Sequence, residues 1–346
     1  MSAETQAQLP DVAGAVERGL AFLAESQLPS GQFSTYVGTD LRSNGTFESS
    51  PFTTALVVHS ISGSSAPGTR QMIDRALDYL SAEMEPGGAW RYWASDHGGH
   101  EVIPADLDDI ACASQVLRRY GRSIPANRRL VLANRDRRGR FYTWIAPRYA
   151  PPPLSPAFWR VARRQTGARD FFKDNEISGR DVSCVVNANV LFYLGDGRAA
   201  RPVVKYLIEV MRRRAERSSD SWYESAFPFY YSVARCIAAG ITGLAGLSGE
   251  ITERIGVAQR EQGCLGEGSL ETALAAGALH YLGQCSPTLI RACDFLLGAQ
   301  AEDGSWPAEP LYHGGPPREL RWGSAELTTG FCVEALLPLV DEQRVA

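Results

Sequence analysis

Lysine is nearly absent from the sequence, and the chain as a whole has no excess of positive charge. Lys173 and Lys205 are the only lysines, and 35 Lys and Arg residues stand against 39 Asp and Glu residues, for a formal net charge of −4. Binding to nucleic-acid phosphates needs a basic field, so the composition argues against a nucleic-acid partner. The seven cysteines form no Cys-x-x-Cys pair, which argues against zinc ribbons and thioredoxin-like motifs. Scattered cysteines of this kind indicate buried free thiols in a reducing compartment.

Long uncharged hydrophobic runs are missing as well. The longest candidate, residues 227–247, is interrupted by Arg235 and several glycines, so we expect no membrane-spanning helix. Residues 1–10 are polar and lack the apolar stretch of a secretory signal, which predicts a cytoplasmic protein. With 346 residues, 44% of them hydrophobic, the chain can bury a large core without disulfides.

A repeated pattern is the most informative feature that is present. Residues 18–33, 75–90 and 291–306 share one order at identical spacing: Arg, then Gly or Ala, an aromatic residue, an aliphatic residue, Gln or Met, Gly, and a final aromatic residue. Each copy is typical of a helix that ends at a glycine turn, with the aromatic–aliphatic pair directed inward.

Two kinds of predicted helix alternate along the chain. Six segments are apolar on almost every side, which indicates buried helices: residues 52–63, 107–117, 184–194, 229–239, 270–282 and 327–339. Six amphipathic segments precede them: residues 12–26, 70–84, 127–134, 201–217, 250–262 and 289–301. A single helix pair cannot bury its apolar face, so pairs that stack and close into a ring are favoured. We therefore predict an all-α fold, a single (α/α)6 barrel over residues 1–346.

The third pair of helices is interrupted by an irregular segment. Residues 136–181 carry five prolines, Pro151 and Pro152 among them, together with arginines and aromatic residues. Long segments without regular structure usually form lids or binding loops. We expect a loop insertion over one mouth of the barrel.

Asp106, Asp108 and Asp109 form a D-x-D-D cluster at the start of predicted helix 107–117. Aspartate at a helix start commonly caps the free backbone N–H groups, which is one interpretation of the cluster. The cluster also stands at the end of a helix that is predicted to line a barrel, which favours a second interpretation, a catalytic acid. Clustered carboxyl groups in a buried site cannot all ionise, so one stays protonated and can act as a Brønsted acid.

Both patterns resemble those of a known family. The repeat is similar to the QW repeat of squalene–hopene cyclases and other class II terpene cyclases, and Asp106-Leu107-Asp108-Asp109 is similar to their DxDD motif. The resemblance implies protonation-initiated carbocation cyclisation, with Asp108 as the proton donor and Asp106 and Asp109 as residues that position it and tune its acidity. Bacterial members usually carry two barrels and this chain has room for one, so the resemblance implies a small C15 or C20 isoprenoid. It implies no cofactor, with Mg²⁺ required only for a diphosphate substrate.

Carbocations need aromatic faces and a cavity without water, because cation–π attraction stabilises them without trapping them. The aromatic residues expected to supply these faces are Trp93, Trp144, Phe229, Tyr230 and Trp322. Asn187 lies in an apolar helix, where an amide either ties helices together or lines the cavity. We expect no metal site.

Other functions are compatible with such a barrel. A non-catalytic barrel that binds a prenyl chain, a lipid or a protein would differ in whether Asp108 is buried and protonated beside an apolar cavity. A carbohydrate-active enzyme would pair Asp108 with Glu271 or Glu326. A protein prenyltransferase needs an Asp, Cys and His zinc site that the corresponding helices lack. For a cyclase, the partner is a small hydrophobic isoprenoid, and peripheral membrane contact and a homo-oligomer or partner chain that closes the cavity remain open.

Overall fold

The computed structural model describes residues 11–41, 43–148, 153–314 and 319–345. Residues 1–10, for which no signal peptide is expected, and Pro151 and Pro152 of the predicted insertion lie outside these ranges. The elements follow in chain order as α1 (Val12–Ser26), β1 (Thr35–Gly38), β2 (Thr46–Glu48), α2 (Pro51–Ile61), α3 (Thr69–Ala82), α4 (Leu107–Arg119), α5 (Arg128–Ala133), α6 (Pro156–Ala162), α7 (Ala168–Asp174), α8 (Cys184–Leu194), α9 (Arg201–Arg212), α10 (Phe227–Ala238), a 3₁₀ helix (Thr242–Leu247), α11 (Ser248–Ala258), α12 (Ser269–Tyr281), α13 (Pro287–Ala299), β3 (Glu309–Gly314), β4 (Leu320–Ser324) and α14 (Ala325–Val345).

Six of the helices form a closed ring of neighbours. α2 packs against α4, α4 against α8, α8 against α10, α10 against α12, α12 against α14, and α14 returns to α2. They correspond one by one to the segments predicted as buried helices, and α8 has the predicted bounds. Every residue of α2 is buried, as its lack of a polar face predicts.

The amphipathic segments form helices outside this ring. α1 packs against α14, α3 against α2, α9 against α8 and α13 against α12. In α9, Val203, Leu207, Val210 and Met211 share one buried face. Among the helices in the described ranges, none combines the length and the apolar character that a membrane crossing requires.

The prediction of an all-α fold is wrong in one respect. The described residues also contain a four-stranded antiparallel sheet with the strand order β2–β1–β4–β3. Val37 of β1 pairs with Trp322 of β4, which also pairs with Tyr312 of β3. Because α14 packs against both α1 and α2, the connections α1–α2 and α13–α14 meet, and their backbones pair as strands.

The sequence repeat folds into one recurring turn. Gln300 Nε2 donates to the carbonyl of Gly304 in its own turn and to that of Ala15 in α1, both at 2.9 Å. Gln27 Nε2 donates in the same way within its own turn at 2.8 Å and to Met72 of α3 at 2.9 Å. Each of these turns therefore joins one outer helix to the first turns of another.

The final aromatic residue of the repeat makes the same hydrogen bond in two of the three copies. Trp90 Nε1 donates to the carbonyl of Leu80, and Trp306 Nε1 to that of Leu296, both at 2.8 Å. Both indoles are fully buried. These two hydrogen bonds join each turn to the helix that precedes it.

Residues 136–181 are more regular than the sequence predicts. Within the described part of this segment, α6 packs against α5. The guanidinium of Arg148 lies 4.7 Å from the ring centroids of both Tyr142 and Phe158, which ties α6 to the chain before it. The predicted loop therefore contains two short helices, α6, which packs against α5, and α7.

Candidate active site

One end of the ring holds a narrow cavity of about 100 Å³. The first turns of α2, α4 and α8 line it through Phe52, Asp108 and Val186. The remaining lining residues are Tyr92, Trp93, Ile103, Asp106, Asp109, Thr143, Trp144, Phe171, Asn175, Trp222, Tyr223, Tyr312 and Trp322. The wall is mainly aromatic, and the carboxyl groups are grouped on α4 and its cap.

Six of the nine predicted site residues line this cavity: Asp106, Asp108, Asp109, Trp93, Trp144 and Trp322. The other three, Phe229, Tyr230 and Asn187, are not among its lining residues.

Asn187 faces away from the cavity because all its polar atoms serve the backbone. Its Nδ2 donates to the carbonyls of Phe141 at 3.0 Å and Ser183 at 2.7 Å, and its Oδ1 accepts from the Phe141 N–H at 2.8 Å. Residues two apart on a helix point about 200° apart. Asn189, and not Asn187, therefore reaches the aspartates, and its Nδ2 donates to Asp108 Oδ1 at 2.7 Å.

Phe229 and Tyr230 lie in the first turn of α10, and both are buried. The helix begins at Phe227, two residues before the predicted start. Phe229 is fully buried, and the Tyr230 hydroxyl donates to Glu216 at 3.3 Å. The prediction that these rings face the cavity is corrected, because aromatic character alone does not say which face of a helix is turned inward.

The start of α4 is fixed by the backbone on both sides of the aspartates. The Leu107 N–H donates to the Thr143 carbonyl, and the Ile145 N–H donates to the Ala105 carbonyl, both at 2.8 Å. Asp106 is the N-cap residue, and its Oδ1 accepts from the Asp109 N–H at 2.8 Å. Asp106 thus has the capping role that the sequence allows.

Asp108 is buried and accepts a hydrogen bond at each oxygen. Asn189 donates to Oδ1 and the Tyr223 hydroxyl donates to Oδ2, each at 2.7 Å. The buried guanidinium of Arg235 donates to the Asn189 carbonyl oxygen behind it. Burial raises the pKa of Asp108, and these donors and the charge of Arg235 act against that rise.

Asp109 is 1% exposed, and its Oδ2 has no hydrogen-bond partner within the described residues. Burial, together with the charge of Asp106, raises the pKa of Asp109 well above its usual range. Burial and the charge of Asp108 raise the pKa of Asp106 to about 7. The cluster therefore retains at least one proton at neutral pH.

The aromatic wall is positioned from outside the cavity. Glu48 Oε2 accepts the indole N–H of Trp93 at 2.9 Å and that of Trp322 at 2.8 Å. Tyr312 stacks on Trp322 with centroids 6.0 Å apart, and its hydroxyl donates to the Tyr92 hydroxyl at 2.8 Å. One carboxylate thus fixes two of the ring faces.

Sequence reasoning missed several residues of the site. Tyr223, Glu48 and Tyr312 carried no motif, and two of them lie in or beside strands that the sequence did not predict. The segment Trp222-Tyr223, which ends four residues before α10 begins, was the available signal, since aromatic residues in the connection to a buried helix fall near its mouth.

Within the described ranges, no group of three or more His, Cys, Asp or Glu side chains is arranged to hold a metal ion.

No family model matches the chain, and no curated protein matches it in sequence. Solved structures do match its fold. Type II terpene cyclase MstE from Scytonema matches with a TM-score of 0.69 at 14% identity, over 96% of this chain and 99% of that one. The chain has a terpene cyclase-like fold.

Two other structures define how far this fold resemblance extends. A protein from Actinoplanes matches with a TM-score of 0.67 at 19% identity, over 95% of this chain and 100% of that one. A possible member of the GH105 family from Salmonella enterica matches at 10% identity with a lower TM-score of 0.53, over 99% and 97% of the two chains. The terpene cyclase-like fold therefore describes the chain better than the GH105 fold does.

Proposed function

We propose that the protein is a class II terpene cyclase that protonates a small linear isoprenoid, of C15 or C20 length, and cyclises it through carbocations. The observation that carries this proposal is the cluster Asp106, Asp108 and Asp109. Its carboxyl groups are buried at an aromatic cavity, and one buried oxygen has no partner in the described structure. A carboxyl group that keeps its proton at an apolar cavity can act as a Brønsted acid.

The reaction begins when the acid O–H bond breaks and the alkene π electrons form a new C–H bond. The positive charge then lies on the substrate, beside the rings of Trp93, Trp144 and Trp322. These faces stabilise the cation without forming a bond to it. Loss of a proton from the final cation completes the cycle, so that no electron or further reactant is needed.

The closed ring of α2, α4, α8, α10, α12 and α14, with helices packed outside it, supports an (α/α)6 barrel as the architecture. We propose that this barrel is a single domain over residues 1–346. Trp144, Phe171 and Asn175 of segment 136–181 line the cavity, so this segment takes the place of a second barrel as its cover. A homo-oligomer, a partner chain or peripheral membrane contact would supply any further cover.

The proposed C15 or C20 length rests on the presence of one barrel in place of two. The cavity of about 100 Å³ is smaller than typical ligand pockets of about 300–1,000 Å³, so its aromatic walls must move apart to admit such a chain. A variant of MstE was solved with geranylgeranyl dihydroxybenzoate, described as its substrate, and it matches this chain with a TM-score of 0.67. The proposed reaction takes place in the cytoplasm and uses no cofactor. Mg²⁺ enters only with a diphosphate substrate.

The test is a product assay on the purified protein. Farnesyl and geranylgeranyl diphosphates, the corresponding alcohols, geranylgeranyl dihydroxybenzoate and squalene are incubated with and without Mg²⁺, and extracts are analysed by mass spectrometry. The double variant Asp108→Asn, Asp109→Asn removes both acidic protons, and Asp294→Asn on the exposed face of α13 is the matched control. We expect a cyclised product from the wild type and the control and none from the double variant. Turnover of none of these substrates would favour a binding-only barrel.

A further inference from the structure

Charge is distributed unevenly along this chain. Residues 118–217 hold 23 of the 35 Lys and Arg residues but only 8 of the 39 Asp and Glu residues. Their formal net charge is therefore +15, whereas that of the rest of the chain is −19. Nineteen of the 23 basic side chains are exposed. We infer that the outer surface formed by these residues binds the anionic surface of a lipid membrane.

This inference names the surface for the peripheral membrane contact that the proposed function leaves open, and to that extent it rests on that function. The binding itself is argued from charge, exposure and contacts alone. It can therefore be measured without any substrate.

Helix α9 shows how the basic side chains are presented. Arg201, Lys205 and Arg212 are exposed and lie on one side of the helix, opposite its buried face. Glu209, the only acidic residue of α9, pairs with Arg213 at 2.7 Å and leaves the other three without an ion pair in the described structure. Surface charges of a soluble domain are normally mixed in sign, and a row of one sign attracts anions.

The basic surface continues from α9 to α5. Turn 136–140, which follows α5, lies against α9, because the guanidinium of Arg140 is 5.3 Å from the ring centroid of Tyr206. Arg128 of α5 donates to the carbonyl of Leu194, the last residue of α8, at 2.9 Å. The further exposed arginines of this part of the chain are Arg129, Arg137 and Arg138. α5, turn 136–140 and α9 therefore form one surface, the basic face.

An apolar tip adjoins the basic face at α6, which packs against α5. Leu154 is 98% exposed, the largest exposed fraction of any large hydrophobic side chain in the described ranges. Trp159 Nε1 donates to the Pro153 carbonyl at 2.8 Å, and the guanidinium of Arg163 lies 5.8 Å from the Trp159 ring centroid. The exposed basic residues of this tip are Arg160, Arg163 and Arg164. Leucine, tryptophan and arginine side chains in this arrangement suit the boundary between lipid headgroups and acyl chains.

A lipid surface fits both the basic face and the apolar tip, whereas a purely ionic partner fits only the first. Arginines attract the headgroup phosphates, and an inserted apolar side chain supplies the second signal that stable membrane attachment requires. A nucleic acid would use the charges and leave Leu154 in water. Segment 136–181 also lines the cavity through Trp144 and Phe171. Attachment would therefore bring the cover of the cavity to the phase in which an apolar isoprenoid dissolves.

Binding is measured by co-sedimentation of the full chain with vesicles of equimolar phosphatidylcholine and phosphatidylglycerol, and with vesicles of phosphatidylcholine alone. We expect binding to the anionic vesicles only. It should be lost as the NaCl concentration rises from about 0.05 to about 0.5 M, because salt screens surface charges. The triple variant Arg201→Gln, Lys205→Gln, Arg212→Gln should bind the anionic vesicles at least about tenfold more weakly.

The matched control is a second triple variant with the same change in net charge, made at exposed arginines outside the basic face: Arg70→Gln, Arg260→Gln, Arg291→Gln. It should bind as the wild type does. Leu154→Ser should weaken binding by about 3–30-fold, because it removes the transfer of a leucine side chain out of water. Circular dichroism of each variant establishes that it folds.

Absence of binding to anionic vesicles at low salt would overturn the inference, as would an equal loss in the two triple variants. Tighter binding of a DNA duplex than of vesicles, with no effect of Leu154→Ser, would replace lipid by a nucleic acid. A salt-sensitive dimer in sedimentation velocity, in place of vesicle binding, would replace it by a second copy of the chain. Vesicle binding without turnover of any isoprenoid leaves the inference standing while the proposed function fails, and turnover without vesicle binding does the reverse.

Discussion

The recurring turns and the cavity mouth use polar groups in opposite ways. In the turns, side-chain donors meet backbone carbonyls, and Gln300 is the clearest case, with both amide hydrogens donated at 2.9 Å and its oxygen accepting from Arg18. At the mouth, Asp109 Oδ2 and Trp144 Nε1 are buried without a partner in the described structure. Buried oxygens without a partner occur in the turns as well, at Gln27 Oε1 and Gln259 Oε1. The mouth differs because its unpartnered oxygen belongs to an ionisable carboxyl group.

The two regions also differ in how their side chains find their partners. The turn contacts link residues four to ten positions apart, with one longer bond to another helix. The cluster contacts link Asp108 to Asn189 and Tyr223, which lie 81 and 115 positions away. Stability is thus encoded in short repeated segments, while the site exists only after the ring has closed.

The largest expected effect is on stability, from Gly304→Ala in the third turn. Gly304 has φ +85°, and an added Cβ would overlap the Arg18 carbonyl oxygen. Positive φ and the overlap together predict a loss of about 3 kcal/mol in the free energy of unfolding, measured by urea denaturation.

Gly298→Ala is the matched control, because Gly298 is exposed on α13 and an added Cβ there would meet no other atom within 4 Å. This change should stabilise the protein by about 0.5–1 kcal/mol. Equal effects of the two substitutions would show that the turn geometry does not matter.

The second prediction concerns how the free energy of unfolding depends on pH, which the aspartate cluster should change and the turns should not. Burial raises the pKa of Asp106 to about 7 and that of Asp109 well above its usual range, whereas a free carboxyl titrates near pH 4. Between these values the native state keeps protons that the unfolded chain has lost. The contribution of the cluster to the free energy of unfolding is therefore fully present below about pH 4. It is lost as the pH rises through 7, by about 1.4 kcal/mol per pH unit for each retained proton.

Thermal melts across this pH range give the measurement. The curve of Gly304→Ala should run parallel to that of the wild type, because no group that titrates in this range is added to or removed from the turn. The curve of Asp109→Asn should be flatter. A wild-type stability that rises between pH 4 and 7 would contradict the proposed protonation of the cluster.

The third prediction concerns Glu48, whose Oε2 holds the indoles of both Trp93 and Trp322. Glu48→Gln keeps the size of the side chain but removes the negative charge behind the rings. We expect kcat/KM to fall about 3–10-fold, since a charge-assisted hydrogen bond contributes about 1 kcal/mol more than a neutral one. The melting temperature should change little, and an unchanged product profile with unchanged kinetics would remove Glu48 from the positioning role.

Periodicity predicted the helices because it is local. The segments 12–26 and 184–194 have the bounds of α1 and α8, since each carries its own start and stop signals. The aspartates were found for the same reason: they follow one another in the chain. The sheet was missed because its strands belong to the first and last connections of the ring, and they pair only when α14 meets α1 and α2.

The site was only partly predictable, because a residue type does not fix a direction. Asn187 and Asn189 are equivalent in the sequence, yet one bonds the Phe141 backbone and the other bonds Asp108. Arg235 interrupts an apolar run and could be read only as a break in it, whereas the structure places it behind Asn189. Such assignments need the rotation of each helix within the ring.

The smallest expected effects come from replacing one aromatic residue outside the cavity and one that lines it. Phe229 is buried outside the cavity, so Phe229→Leu should lower the free energy of unfolding by less than about 1.5 kcal/mol and leave the products unchanged.

Trp144 lines the cavity, with the ring centroid of Phe171 at 5.1 Å and that of Trp222 at 5.4 Å. Its indole N–H is unpartnered in the described structure, so Trp144→Phe removes ring area at no cost in hydrogen bonds. We expect Trp144→Phe to alter the product ratio measured by gas chromatography. A change in products from Phe229→Leu alone would place the cation near α10 instead.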